Sequence, residues 1–89
     1  MDVGTGPPAA SCLLLADRSQ ALLEGMQCLL RSKFEAVVTV SDEPSLMESA
    51  RCLVSSLVVL DLGLGSDGLG VVRRLRQMRP DQKLSLIHI

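Results

Sequence analysis

The stretch Leu57-Val58-Val59-Leu60-Asp61-Leu62-Gly63-Leu64-Gly65-Ser66-Asp67-Gly68 decides the fold. Four apolar residues run into a carboxylate, and a glycine-rich segment follows, which reads as a buried strand whose last residue, Asp61, reaches solvent. A second run, Leu13-Leu14-Leu15-Ala16-Asp17, ends the same way. In open α/β sheets ligands collect outside the carboxyl ends of the strands. Asp17 and Asp61 are therefore candidates to share one pocket.

Working outward, Ser11 to Ala16 suits a strand covered on both faces, as parallel strands in α/β sheets are. Ser19 is a helix N-cap, and Leu22, Met26, Leu29 and Leu30 recur behind it at helical spacing up to Ser32. Glu35 to Val40 carries Val37, Val38, Thr39 and Val40, whose stiff side chains favour a second strand. Asp42, Glu43 and Pro44 open a second helix with Leu46, Met47, Ala50, Leu53 and Val54 inward, since negative charge and a preset φ suit a helix start. After the strand Leu57 to Leu60, Ser66 or Asp67 caps a third helix with Leu69, Val72, Leu75 and Met78 inward, and Arg79-Pro80 closes it. Strands alternating with helices over short connections predict a parallel sheet with right-handed crossovers.

Composition narrows the functional classes. Eighty-nine residues with a net charge of −1 allow one small domain and give no electrostatic reason to bind a polyanion. The arginines Arg73, Arg74, Arg76 and Arg79 read as the solvated face of the third helix, with cations near its negative end. Cys12, Cys28 and Cys52 are odd in number and set in apolar segments, which predicts buried, reduced thiols. The first ten residues lack a basic start and a long apolar run, so neither export nor a membrane span is expected. Gly63, Gly65 and Gly68 are not followed by a Gly-Lys-Ser/Thr sequence, which argues against a nucleotide-cradling loop. An aspartate-nucleophile phosphatase of the haloacid dehalogenase type needs a second Asp where Gly63 stands.

From Cys12 to about Lys83 the chain resembles a bacterial response-regulator receiver domain of the CheY-like kind. Val58-Val59-Leu60-Asp61-Leu62, then Asp67-Gly68-Leu69 and Val71-Val72-Arg73-Arg74-Leu75-Arg76, resemble the phosphoacceptor strand, loop and third helix of that family. Leu14-Leu15-Ala16-Asp17 resembles its acidic strand end. Glu24-Gly25-Met26 is similar to the first helix of receivers in helix-turn-helix regulators. The resemblance implies an α/β fold, a doubly wound parallel sheet of flavodoxin-like receiver type in order 2-1-3-4, truncated before a last helix, strand and helix. It further implies a phosphoacceptor and not an enzyme: Asp61 would take a phosphoryl group from a sensor histidine kinase and relay the signal to an output domain of transcriptional kind. Mg²⁺ would be held by Asp17, Asp61 and the backbone carbonyl of Gly63. DNA would be reached only through a separate C-terminal output domain, the location would be cytoplasmic, and the full-length protein could pair as a homodimer.

This chain departs from that pattern in three places. Receivers place two adjacent acids at the end of the first strand, whereas here Asp17 stands between Ala16 and Arg18; aligning Glu24-Gly25 with the family pattern puts Arg18 in place of the second acid, the favoured register, and the other register puts Ala16 in place of the first. Arg18 would either supply cationic charge or pair with Asp61 and silence it, which favours the alternative of an atypical receiver acting as a phosphorylation-independent interaction module. The loop after Asp61 is about one residue short, with Leu64-Gly65 where Met-Pro is usual. Finally, residues 1–10 read as a disordered tail, 11–83 as a partial receiver, and 84–89 as a non-native tail, because Leu84-Ser85-Leu86-Ile87-His88-Ile89 is the translation of a transposon end used as a sequencing adapter. Sequencing of the source DNA is expected to diverge after Lys83; finding Leu84 to Ile89 encoded in place contradicts this.

Overall fold

A computed structural model of the chain describes residues 11–65 and 67–87. Seven elements alternate along it: β1 (Cys12–Ala16), α1 (Gln20–Leu30), β2 (Ala36–Val40), α2 (Glu43–Cys52), β3 (Leu57–Asp61), α3 (Gly68–Met78) and β4 (Leu84–Ile87). All pairings are parallel and the strand order is β2-β1-β3-β4, a doubly wound sheet. The chain leaves β1 for the edge strand β2 and returns across β1 to β3, so the point where winding reverses lies between β1 and β3. Ala16 pairs with Leu60 across that point.

Every residue of β1 is buried, because helices cover both faces of a central parallel strand. Side chains alternate across the sheet. Leu14 and Ala16, with Val58 and Leu60, face Leu46 of α2 and Val71 and Leu75 of α3. Leu13, Leu15 and Val59 pack on Leu23 of α1 across the other face, with Met26 and Leu30 beside it. Each helix start is held by a side chain accepting from an otherwise unpaired backbone N–H: Ser19 Oγ from Leu22 at 3.2 Å, Asp42 Oδ1 from Ser45 at 2.8 Å, and Asp67 Oδ1 from Gly70 at 3.1 Å. The Ser45 backbone N–H, followed by its hydroxyl, holds the Asp42 carboxyl below the ordinary carboxylate range. Among the described residues no helix is long and apolar enough to cross a membrane.

Several expectations need correction. In α1 the buried position is Leu23, while Leu29 is 76% exposed. In α3 Val71 and Leu75 are the buried side chains, while Leu69 is 65% exposed and Met78 is also exposed. Val54 lies beyond the end of α2 and is exposed. Cys12 is buried as expected, but Cys28 and Cys52 are exposed, and the Cys52 thiol donates to Glu48 Oε2 at 3.4 Å. All three are free thiols. Arg73, Arg74 and Arg76 are exposed, Arg74 pairing with Glu43 across to α2. Arg79 instead turns back on α2, donating from Nε to Ala50 O at 2.9 Å and from Nη2 to Arg51 O at 3.2 Å. Leu84–Ile87, set apart above as a non-native tail, forms the fourth strand, with Leu60 opposite Leu86. The pairing is made by backbone groups and fits any extended run, so it is independent of where Leu84–Ile87 comes from. The tail 1–10, Ser66 and His88 lie outside the described residues.

The inward faces just assigned are separable by truncation. Leu60→Ala, at a fully buried site, is expected to lower stability by about 2–5 kcal/mol, whereas Leu69→Ala is expected to change it by about 0.5 kcal/mol or less. Denaturant midpoints check this, and equal losses would contradict the orientation of α3.

Candidate functional site

Asp17 is the first residue past β1, and Asp61 is the last of β3. The β1–β3 register continues from Ala16 opposite Leu60 to Asp17 opposite Asp61, and neighbouring strands lie about 4.8 Å apart. The period of two that sends Leu13, Leu15, Leu57 and Val59 toward α1 sends Asp17 and Asp61 to the same side. Both carboxylates accordingly line one open pocket of about 610 Å³, together with Arg18, Ser19 and Leu22 at the start of α1. The proximity expected from sequence is present.

Local geometry fixes what each group is free to do. The Ser19 backbone N–H donates to Asp17 Oδ1 at 2.8 Å, which ties the carboxylate to the turn leading into α1. Asp17 is only 4% exposed, and its Oδ2 is buried with no hydrogen-bond partner. A buried carboxylate oxygen left unpaired is costly, so this atom calls for a cation or a donor. At Asp61, which is part-buried, the Gly63 backbone N–H donates to Oδ1 at 3.1 Å and Oδ2 is left to the pocket. Arg18 is exposed and comes close to the same place. A methyl group added to Gly63 would lie 3.4 and 3.6 Å from the Asp61 oxygens and 3.8 Å from Arg18 Nη2. The guanidinium and the carboxylate thus flank Gly63, yet among the described residues Arg18 makes no ion pair with Asp61.

The shortened loop after Asp61 is anchored in the core. Leu64 is fully buried, and its N–H donates to Asp61 O at 2.9 Å, closing a tight turn. Gly65 follows with φ of +79°, a conformation glycine adopts without strain. Gly68 answers a different need. A Cβ there would run into the Leu62 backbone, reaching 2.9 Å from its carbonyl carbon, so only glycine lets α3 start this close to the loop.

Of the residues named from sequence, Asp17 and Asp61 are brought together, and Gly63 flanks them through its backbone. Ser19 and Leu22 were read only as cap and core, and both line the pocket. The signal for Ser19 was its place two residues after Asp17, which makes the helix cap part of the pocket rim. Hard oxygen donors of this kind suit a small divalent cation, which takes one or two carboxylates and fills the rest of its shell elsewhere. The unpartnered Asp17 Oδ2 is consistent with that. Among the described residues no group of three or more Asp, Glu, His or Cys side chains is clustered for metal binding, so the carboxylate set is limited to two.

No known family model and no curated protein sequence matches the chain. Solved structures do. The N-terminal signal receiver domain of a two-component response regulator from Bacteroides fragilis aligns with a TM-score of 0.81 at 25% identity, covering 88% of this chain and 65% of that one. A response regulator receiver protein from Sinorhizobium medicae gives 0.76 at 27% identity over 89% of this chain and 66% of that one. RcsB from Salmonella enterica, solved bound to a promoter in the presence of the phosphomimetic BeF3−, gives 0.76 over 88% of this chain and 68% of that one; its 17% identity speaks for the fold alone. The chain spans about two thirds of the length of these relatives. The Gly68 contact is expected to matter for the loop that carries Asp61: Gly68→Ala should cost about 1–3 kcal/mol and shift the amide resonances of residues 62–65, and an unperturbed spectrum would contradict the close approach. The match across β1 to β4 shows that this chain has the fold of CheY-like response-regulator receiver domains.

Proposed function

We propose that this chain is the receiver of a two-component phosphorelay, with Asp61 as the phosphoacceptor, a phosphohistidine on a sensor kinase as the donor, and a separate output domain, transcriptional in kind, as the reader. The observation that carries this reading is the placement of Asp61 beside the buried Asp17 in one open pocket at the carboxyl ends of β1 and β3. The relative solved with BeF3−, a mimic of a phosphoryl group, supports it by likeness of fold.

The chemistry is an in-line displacement in which positioning and charge neutralisation dominate. Asp61 Oδ1 is held by the Gly63 N–H, so Oδ2 is the oxygen that forms the new O–P bond. The N–P bond of the phosphoimidazole breaks, and the imidazole leaves with the electron pair and takes a proton from solvent. The product is an acyl phosphate. Asp17, Asp61 and the Gly63 carbonyl are the groups that would hold Mg²⁺, which when bound offsets the charge of two carboxylates facing an anionic donor. The Gly63 N–H keeps the acyl oxygen oriented after transfer. The acyl phosphate carries about −1.5 to −2 where the carboxylate carried −1, and the extra charge and acceptor oxygens then bias a surface that the output domain reads. Contact with DNA belongs to that output domain, and the chain acts as a stoichiometric acceptor with no turnover of its own.

The guanidinium of Arg18 beside Asp61 favours a second reading, in which the domain binds its partner without phosphorylation. Partner binding unchanged by Asp61→Asn would select it. For the main reading, incubation with radiolabelled phosphoramidate should label the chain at one site, and Asp61→Ala should abolish the label. Equal labelling of the wild type and Asp61→Ala contradicts the assignment.

A further inference from the structure

We infer that Arg18 is a built-in cation for the phosphoryl group, so that this site captures phosphate without requiring a metal ion; the inference rests on Asp61 being the phosphoacceptor. The pocket is lined by two carboxylates, one hydroxyl-bearing residue, one leucine and one cationic side chain, Arg18. An anionic donor approaching Asp61 therefore meets two negative charges, and among the described residues lining the pocket the positive charge that offsets them is the guanidinium. Its Nη2 and both Asp61 oxygens converge on Gly63. A Cβ at position 63 would be in ordinary van der Waals contact with both groups, which places the cation and the carboxylate on the same side of the loop.

Two features make Arg18 a phosphoryl ligand and not a lock on Asp61. First, among the described residues it makes no ion pair or hydrogen bond, so its donors remain available within the pocket. Second, Asp61 Oδ1 is occupied by the Gly63 N–H, which holds the carboxylate without help from Arg18. A planar guanidinium presents paired N–H donors that match two phosphoryl oxygens, a geometry an ammonium lacks. During transfer the O–P bond to Asp61 Oδ2 forms as the donor's N–P bond breaks, and the charge spread over the three equatorial oxygens is where these donors act. Arg18 touches the transferred group but neither gives nor takes a proton. Asp17, whose Oδ2 is buried and unpartnered, lines the same pocket as Arg18.

The test compares the full chain with Arg18→Ala, Arg18→Lys and Arg18→Asp, using radiolabelled phosphoramidate in EDTA and in Mg²⁺, and follows bound beryllofluoride by ¹⁹F resonance under the same conditions. Arg18 is exposed, so these variants should fold, and unchanged far-UV circular dichroism establishes it. The wild type is expected to label in EDTA within a few-fold of its rate in Mg²⁺, and to hold beryllofluoride without metal. Arg18→Ala should lose at least about tenfold in EDTA and recover with Mg²⁺. Arg18→Lys should retain part of the EDTA rate, and Arg18→Asp should label only with Mg²⁺. Labelling of the wild type that demands Mg²⁺, or an Arg18→Ala rate in EDTA equal to the wild type, overturns the inference while leaving Asp61 as acceptor. Absence of label and of bound beryllofluoride from every protein in both buffers overturns the acceptor assignment and this inference with it.

Discussion

The parallel register of β1 against β3 is the constraint from which the site follows. Because Ala16 stands opposite Leu60, the next residue on each strand arrives at the same end of the sheet and on the same side of it. A slip of one residue would turn one carboxylate to the opposite face. The register is protected against this by burial on both faces: Leu13 and Leu15 fill the space under α1, and Leu14 and Ala16 the space under α2 and α3. A slip would exchange these sets and leave both cores mismatched. The same contacts that stabilise the central strands therefore hold two acids together, which repulsion alone would drive apart.

The loop after β3 converts this juxtaposition into a defined site. Leu64 is drawn into the core and closes a turn on the Asp61 carbonyl, which brings the Gly63 N–H onto the Asp61 carboxylate. Gly65 and Gly68 let the chain turn and approach the next helix where a side chain would not fit. One pocket wall comes from the start of α1, where Asp17, Arg18 and Ser19 form a continuous turn whose backbone bond to Asp17 leaves one oxygen unpartnered. Gly63 lies between the walls, with the Asp61 carboxylate of one and the Arg18 guanidinium of the other both close to it.

Much of this was legible in the sequence, because the signals were local and of more than one kind. Strand ends were marked by an apolar run meeting an acid, and helix starts by Ser19, Asp42 and Asp67, each of which does cap its helix. The orientation of the helices was less legible. Helix α1 contains Leu22, Leu23, Met26, Leu29 and Leu30, enough for more than one apolar stripe, and only packing on Leu13 and Leu15 selects Leu23 over Leu29. In α3 Leu69 sits in the first turn, where it overhangs the end of the core, so the stripe begins at Val71. Burial of Cys28 and Cys52 was inferred from apolar neighbours in sequence, but Leu29 beside Cys28 is itself exposed, and Cys52 is the last residue of α2, with exposed Val54 beyond it. The pocket roles of Ser19 and Leu22 needed the sheet order, which places the start of α1 over the β3 end.

The central claim is that Asp61, standing next to Asp17, is the oxygen nucleophile of this site. It is tested most directly by mapping the covalent product. Phosphorylated chain treated with borohydride converts an aspartyl phosphate to homoserine, and peptide mass spectrometry locates the change. Homoserine at position 61 and at no other acid is the predicted result; homoserine at position 17, or none in a chain that carries phosphate, would contradict the account.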